Sequence, residues 1–153
     1  MDLGTAKQTC SLEDAHRVIV SLLSAADAMR RHLGAAVAER GLTLQQYNVL
    51  RILRSAAARG PMPTMEICEH MIEKTPGVTR FMDRLEEMGL IERRRCTEDR
   101  RQVHASITEA GLAVLAELDA RVQEADERSV AGLSPAEVDT LVAHLETIRD
   151  NTS

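Results

Sequence analysis

Two groups of side chains in the middle of this 153-residue chain have the chemistry to recognise a nucleic acid. Backbone amides at a helix N-terminus favour a phosphate oxygen, and the fork of an arginine suits the edge of a guanine base. The first group offers both chemistries at the predicted start of a helix, with Thr75, Pro76, Gly77, Thr79, Arg80 and, one turn further on, Arg84. The second group, Asp99, Arg100 and Arg101, offers arginines that suit a narrow minor groove.

Each group also has a simpler interpretation. Thr75 would then be only a helix cap, and Arg80 and Arg84 would pair with the nearby Asp83, Glu86 or Glu87. The second group would be a solvated run of charges on an exposed turn. Against this, an aspartate two residues before an arginine can hold its guanidinium in a bidentate salt bridge. Asp99 is therefore predicted to hold Arg101 ready for DNA.

The surrounding sequence predicts the elements that position these groups. Thr64 is predicted to cap a short helix, and Thr75-Pro76 to begin the next, since proline at the first helical position needs no amide partner. Residues 103–108 alternate apolar and polar side chains, which is typical of a half-buried strand. Residues 91–96 are its predicted hairpin partner, and residues 97–101 form the tip.

Long amphipathic helices are predicted at both ends of the chain, over about residues 11–41 and 109–150, around a lobe at 43–108. We predict a single domain over 1–153, mainly α with a small β-hairpin wing. The fold class is a winged helix-turn-helix flanked by N- and C-terminal dimerisation helices. With one Tyr, one Phe and no Trp, the apolar stripes of the outer helices are expected to pack against a second copy of the chain. The C-terminal stripe consists of Val138, Leu141, Val142, Leu145 and Ile148.

The distribution of charge matters more than its total. The formal net charge of −5 argues against a nucleic-acid partner. Residues 109–153, however, carry ten acidic and three basic side chains, so most of the excess acid lies in the C-terminal third. Local potential decides whether a phosphate can approach, and the five arginines between residues 93 and 101 have only Glu98 and Asp99 as acidic residues close by in the same stretch.

Several classes of protein are not expected. No apolar run reaches the roughly 18–20 residues of a membrane span, and no secretion signal is visible, so no membrane partner is predicted. Three widely spaced cysteines suggest neither a disulfide framework nor a metal site, and a cytoplasmic location is the natural interpretation. No nucleophile motif or phosphate-binding glycine loop occurs, so we expect neither an enzyme nor a cofactor.

The run LEEMGLIERRRCTEDRRQVHASITEAG resembles the MarR family of bacterial transcription regulators. That family shares a leucine-rich helix end, a glycine cap, a charged strand, an Asp-x-Arg wing and an apolar-x-apolar-Thr-x-x-Gly exit, in this order. The upstream LTLQQYNVLRIL also resembles its second helix. The counterparts in this chain are Leu85, Gly89, Asp99, Arg101, Ile107, Thr108 and Gly111.

The resemblance implies a homodimeric repressor that binds a roughly palindromic operator in double-stranded DNA. It makes Arg101 the minor-groove residue, Asp99 its support, and residues 75–80 the readers of the major groove. Many members also bind a small anionic or aromatic ligand where the dimer helices meet the DNA-binding lobe. In this chain that junction would draw on Arg17, Met29, His32 and Tyr47.

Two alternatives remain at this point. A winged-helix protein-interaction module without DNA binding would explain the acidic C-terminal third. A regulator that senses oxidants through a cysteine is the other, because Cys10 lies near the N-terminus, where some relatives have a sensing thiol. Cys96 lies among arginines that favour a thiolate, and Cys68 is predicted to pack as a small hydrophobic residue.

Overall fold

The computed structural model describes residues 10–72, 77–97, 99 and 101–152, and this part of the chain contains six α-helices and three short strands. It confirms the predicted class, mainly helical with a small antiparallel sheet. In chain order the elements are α1 (Leu12–Ala38), α2 (Leu44–Ala56), β1 (Met62–Pro63), α3 (Thr64–His70), α4 (Val78–Glu87), β2 (Ile91–Arg95), β3 (Val103–Ile107), α5 (Glu109–Ser129) and α6 (Pro135–Asp150).

The predicted caps account for where most of the long helices begin. The side chain of Ser11 accepts a hydrogen bond from the backbone N–H of Asp14 at 3.1 Å, which starts α1. Thr43 and Ser134 each form a complete capping box, at the starts of α2 and α6. Because each of these side chains satisfies an amide that the helix leaves unpaired, the helix starts are fixed by local sequence.

Two predicted starts differ from the structure. Thr64 does not cap α3, because its hydroxyl donates instead to the backbone carbonyl of Val103, at 2.9 Å. The helix α4 begins at Val78, with Gly77 as its N-cap, rather than at the predicted Thr75-Pro76. Thr75 and Pro76 themselves lie outside the described residues.

The sheet has the order β1-β3-β2, with both pairs antiparallel. The predicted hairpin is confirmed, and it extends from Ile91 opposite Ile107 to Arg95 opposite Val103. The strand β1 was not predicted, and it places the buried Met62 opposite Ala105. A third strand therefore supports the middle of the hairpin.

The core lies under the sheet and between α2, α4 and α5. Its residues are aliphatic apart from one tyrosine, as the composition requires, and the largest fully buried side chains are Leu50, Leu53, Ile67, Met82, Leu85, Ile91, Leu115 and Leu118. Cys68 packs against this cluster, as predicted. The buried stripe of α4 thereby fixes which side of that helix faces solvent.

The start of α5 is locked to the turn after α4. The hydroxyl of Thr108 donates to the carbonyl of Gly89 at 2.7 Å and accepts from the N–H of Gly111 at 3.1 Å. A Cβ at Gly111 would lie 2.3 Å from the carbonyl oxygen of Leu90, so only glycine fits there without a backbone shift. The Thr-x-x-Gly exit therefore fixes α5 relative to the wing.

Ion pairs join α5 to the elements before it. Arg54 in α2 donates to both carboxylate oxygens of Asp119, at 2.6 and 3.2 Å. Glu117 pairs with Arg40, and Arg121 pairs with Glu39, both beyond the end of α1. One pair therefore joins α2 to α5, and the other two join α5 to the residues that follow α1.

The C-terminal helix α6 has no buried residue. Leu141, Val142 and Leu145 are 44%, 48% and 37% exposed, and Leu12 and Leu23 in α1 are more exposed still. The predicted stripe of α6 is therefore present and uncovered in the single chain. Within the described residues, no helix is both long and apolar enough to cross a membrane.

Candidate nucleic-acid interface

The helix α4 presents its polar side to solvent. Val78, Met82 and Leu85 are buried, whereas Thr79 and Arg80 are exposed in its first turn. Helical periodicity requires this, because residues three and four apart share a face and leave the intervening positions outside. Two of the predicted reader residues thus stand where a major groove could receive them.

The arginines of α4 have different environments. Nη1 of Arg84 lies 3.2 Å from Oε2 of Glu87, which is one of the ion pairs that the simpler interpretation expects. No salt bridge involving Arg80 occurs among the described residues. The carboxylates expected to neutralise it, those of Asp83 and Glu86, contact another arginine.

That arginine is Arg93 in β2, which the sequence analysis had grouped with the free basic residues. Its Nε and Nη2 donate to Oε2 of Glu86 at 2.9 and 2.6 Å, and Nη2 also donates to Asp83 at 2.6 Å. These hydrogen bonds, with Glu86 contributing most, raise the pKa of the Arg93 guanidinium despite partial burial. The expectation that only Glu98 and Asp99 oppose the arginine run is therefore wrong.

The wing tip is organised by Asp99, but not in the predicted way. Its carboxylate accepts a hydrogen bond from the backbone N–H of Arg101 at 3.0 Å, and its carbonyl accepts from the N–H of Gln102 at 2.9 Å. No salt bridge between the side chains of Asp99 and Arg101 occurs in the described part of the chain. An aspartate two residues before an N–H readily forms such a turn, which competes with a side-chain pair.

The consequence for Arg101 is an exposed side chain on a defined backbone turn. Asp99 thus still supports the tip, by shaping the backbone rather than by holding the guanidinium. Arg100 lies outside the described residues.

One hollow joins the two candidate readers. Thr79 from α4, Arg93 from β2 and Arg101 from the wing tip all line a surface depression of about 730 Å³. Glu66 and Glu69 from α3 lie on its other side. The fold therefore brings together two groups that are more than twenty residues apart in sequence.

A second cavity, of about 370 Å³, lies between α1, α2 and α5 at the junction of lobe and outer helices. Of the four residues predicted to form a ligand site, Met29 and Tyr47 line this cavity, and Arg17 and His32 do not. Arg17 instead pairs with Asp14 at 3.0 Å, near the start of α1. Arg17 and His32 lie at other positions on α1, and the apolar periodicity of this 27-residue helix does not tell which of its residues line a cavity.

Arg51, which was not predicted, also lines this cavity, and its Cζ lies 5.9 Å from the centre of the Tyr47 ring. Its spacing of four residues from Tyr47 in a predicted helix was the available signal. Burial raises the pKa of the Tyr47 hydroxyl, and the charge of Arg51 acts in the opposite direction. The cavity combines apolar walls with a cationic group, as many small-molecule sites do.

The three cysteines are not joined by disulfides. Cys10 is exposed, Cys68 and Cys96 are half-buried, and all three are free thiols. Within the described residues, no group of three or more His, Cys, Asp or Glu side chains could hold a metal ion.

Comparisons with known proteins agree with this geometry. The model of the MarR family matches residues 42–103. The HTH-type transcriptional repressor IacR of Pseudomonas putida is 32% identical over 110 residues, which cover 72% of this chain and 64% of that protein. The match therefore spans less than two thirds of the length of that repressor.

Solved structures share the fold over nearly the whole chain. Sco3205, a MarR family transcriptional regulator from Streptomyces coelicolor in complex with DNA, has a TM-score of 0.82 at 22% identity, covering 94% of this chain and 90% of that one. A MarR transcription factor from Planctomyces limnophilus is 32% identical with a TM-score of 0.70, covering 92% of this chain and 99% of that one. With a relative this similar over almost its full length, and with helix and wing arranged as described, this chain belongs to the MarR family.

Proposed function

We propose that this chain is a homodimeric transcription repressor that binds a roughly palindromic site in double-stranded DNA. The single observation that carries the proposal is the hollow shared by Thr79 and Arg101. A polar helix N-terminus on one side and an arginine-bearing wing on the other suit a major groove and the adjacent minor groove.

In the dimer, α1 and α6 of one copy would pack against those of the other. The uncovered leucines and valines of α6 support this arrangement, because large exposed apolar patches usually mark an interface. Each copy would then place α4 in one of two successive major grooves, about 34–36 Å apart. The acidic residues of the C-terminal third would lie away from the DNA.

The test of the interface is Arg101→Ala, measured by fluorescence anisotropy on a duplex selected by the wild-type protein from a random pool. A lost arginine contact should weaken binding by about 10- to 100-fold, without changing the dimer. Arg128→Ala in α5 removes the same charge from a side chain that is 70% exposed and pairs only within its helix, with Glu124. This control should leave the affinity nearly unchanged. Equal affinities for both variants would contradict the assignment of the wing.

Salt dependence separates this proposal from the protein-interaction alternative. Contact with about 6–10 phosphates should lower the affinity roughly a thousandfold or more when salt rises a few-fold. An interaction module without DNA binding would show no salt-sensitive association with any duplex.

We also propose that the junction cavity binds a small anionic or aromatic ligand that releases the DNA. Its volume of about 370 Å³, its apolar walls and the cation of Arg51 support this class of ligand. A ligand there would contact α1, α2 and α5 together and could change the separation of the two α4 helices. Differential affinity of the ligand for the DNA-free form would be required.

The ligand proposal can be tested with benzoate as a simple aromatic anion. Binding should raise the melting temperature of the wild-type protein and should be weakened by Arg51→Ala. Arg17→Ala is the matched control, because Arg17 lies outside the cavity. Identical benzoate effects on both variants would contradict the role of Arg51.

A further inference from the structure

The three consecutive arginines of β2 differ in how they are held. The side chain of Arg93 is only 21% exposed and makes contacts to α4, whereas that of Arg94 is 82% exposed and pairs with its near neighbour Glu92. Arg95, at the end of the strand, is also exposed. A residue used simply as a phosphate contact needs no such enclosure.

The contacts of Arg93 use nearly all the hydrogen-bonding capacity of one carboxylate. Oε2 of Glu86 receives Nε and Nη2 of the guanidinium, and Oε1 receives the backbone N–H of Arg93 at 3.2 Å. Both the side chain and the main chain of β2 are thus attached to a single residue of α4. Charge-assisted contacts of this kind, which use both carboxylate oxygens, impose geometry as well as adding energy.

Asp83 adds a second point of attachment one turn earlier. Residues 83 and 86 are three apart on α4, so both carboxylates lie on the same face of the helix. Nη2 of Arg93 bridges them, at 2.6 Å from each. Two attachment points along a helix resist its rotation and tilt more strongly than one.

We propose that Arg93 is a positioning residue that fixes the recognition helix α4 relative to the wing and does not itself bind DNA. Thr79 lies four residues before Asp83, and Arg101 lies at the tip of the hairpin that contains Arg93. The contacts of Arg93 therefore connect the helix that carries Thr79 to the hairpin that carries Arg101, and all three residues line the same hollow. The proposal rests on the proposed DNA-binding function of that hollow.

The arrangement has a second effect, on charge. Asp83 and Glu86 would otherwise place two carboxylates on the helix that approaches the phosphates. The guanidinium of Arg93 neutralises part of that charge where it would oppose binding most. The charge effect predicts only that Arg93 helps DNA binding, whereas the positioning effect predicts that its acidic partner Glu86 helps as well. An acidic side chain near DNA ordinarily hinders binding.

The test is whether removing the charge of Glu86 lowers or raises the affinity for DNA. Glu86→Gln removes a negative charge with little change in shape, and Glu87→Gln does the same one residue later. Glu87 contacts Arg84 on its own helix and is 65% exposed, so it is the matched control. Affinities are measured by anisotropy on the selected duplex and on a random duplex of the same length.

We expect Glu87→Gln to leave the affinity unchanged or to raise it. Glu86→Gln should lower the affinity for the selected duplex by about three- to thirtyfold, and more than for the random duplex. Arg93→Gln should also lower the affinity. The double variant should bind no more weakly than the weaker single variant, because each single change already breaks the same contact between Arg93 and Glu86. Arg93→Lys, which keeps the charge but not the fork, should fail to restore full affinity.

Two results would overturn the proposal. The first is a rise in affinity for Glu86→Gln that matches the rise for Glu87→Gln. The second is a loss for Arg93→Gln that is equal on both duplexes and lowers the salt slope by about one, because that is the signature of a direct phosphate contact. Thermal melting of each variant shows whether the fold is intact, and Arg93→Lys provides a milder variant if Arg93→Gln is unstable.

Arg101→Ala, measured alongside, distinguishes a failure of the positioning role from a failure of the proposed DNA interface. Weaker binding by Arg101→Ala with no loss in Glu86→Gln overturns only the positioning role. Unchanged binding by Arg101→Ala overturns the proposed interface, and the positioning role with it.

Discussion

The lobe and the outer helices bury their apolar residues in different ways. In the lobe, the apolar side of α4 is fully covered by the same chain, and Leu85 has no exposed surface. In α6, an equally regular stripe includes Leu141, Val142 and Leu145, each more than a third exposed. Both regions follow the same helical periodicity, so a stripe alone indicates only that a helix has an apolar side. Whether that side is covered by the same chain or by a partner depends on the tertiary structure.

The largest effect should come from placing charge on the uncovered stripe. Leu141→Asp combined with Leu145→Asp should convert a dimer to a monomer and weaken DNA binding by about 100-fold or more, since the two half-sites would no longer be linked. Circular dichroism should show an intact lobe. Sedimentation or light scattering gives the mass directly.

Ala143→Asp is the control for that variant, because residue 143 lies on the opposite, exposed side of α6. It should leave the dimer intact. A dimer that persists with both leucines replaced would mean that α6 is not part of the interface.

A smaller effect, on stability, is expected where α5 packs against the turn after α4. Gly111→Ala would force a methyl group against the carbonyl of Leu90, and it should lower the free energy of unfolding by about 1–3 kcal/mol or more. Gly34→Ala is the matched change in α1, where an added Cβ would have no contact within 4 Å. That variant should raise the free energy by about 0.4–1 kcal/mol.

Urea denaturation measures both glycine variants. A destabilised Gly34→Ala would show that a second copy of the chain covers this part of α1. That part of the outer helices would then be covered in the dimer, as the apolar side of α4 is covered within one chain. Equal and small effects for both variants would contradict the tight contact at Gly111.

The smallest effect concerns Tyr47, at the boundary between the two regions. Burial raises the pKa of its hydroxyl above the usual value near 10. The folded chain therefore keeps the proton to a higher pH than the unfolded chain does, and the free energy of unfolding should fall as pH rises above about 10. Tyr47→Phe should lose this part of the pH dependence and should match the wild type below that pH.

Denaturation of both proteins at a series of pH values gives the difference, and other titrating groups cancel in the comparison. Since the chain has one tyrosine, its phenolate absorbance reports the same titration directly. Curves that stay parallel through pH ~10 would show that Tyr47 is effectively solvated.

Local features of the sequence were sufficient for most of the fold. The caps at Ser11, Thr43 and Ser134 and the alternation in β3 are governed by residues close in sequence, so these elements were predictable. The strand β1 was not, because two residues carry no alternation. Thr64 was misassigned for a related reason, since the carbonyl of Val103 that it contacts is 39 positions away in sequence.

The candidate site shows the same limit. Exposed residues such as Thr79 and Arg101 could be identified from residue type and local turns. The role of Arg93 could not, since its partners Asp83 and Glu86 belong to another element and had been considered only as alternative partners of Arg80 and Arg84. Charged side chains pair across space, and the pairing is decided by how the elements dock.

The short strand β1 has a consequence for how the wing can vary. It pairs with β3 at Ala105 and His104, which are the middle residue of that strand and the next residue toward the tip. Thr97, Asp99 and Arg101 lie outside the paired residues of the sheet, so exchanges there should leave its register unchanged. A shift of one residue within β1 would instead turn Met62 out of the core. The tip residues that we propose to contact DNA can therefore be exchanged while the sheet beneath them keeps its register.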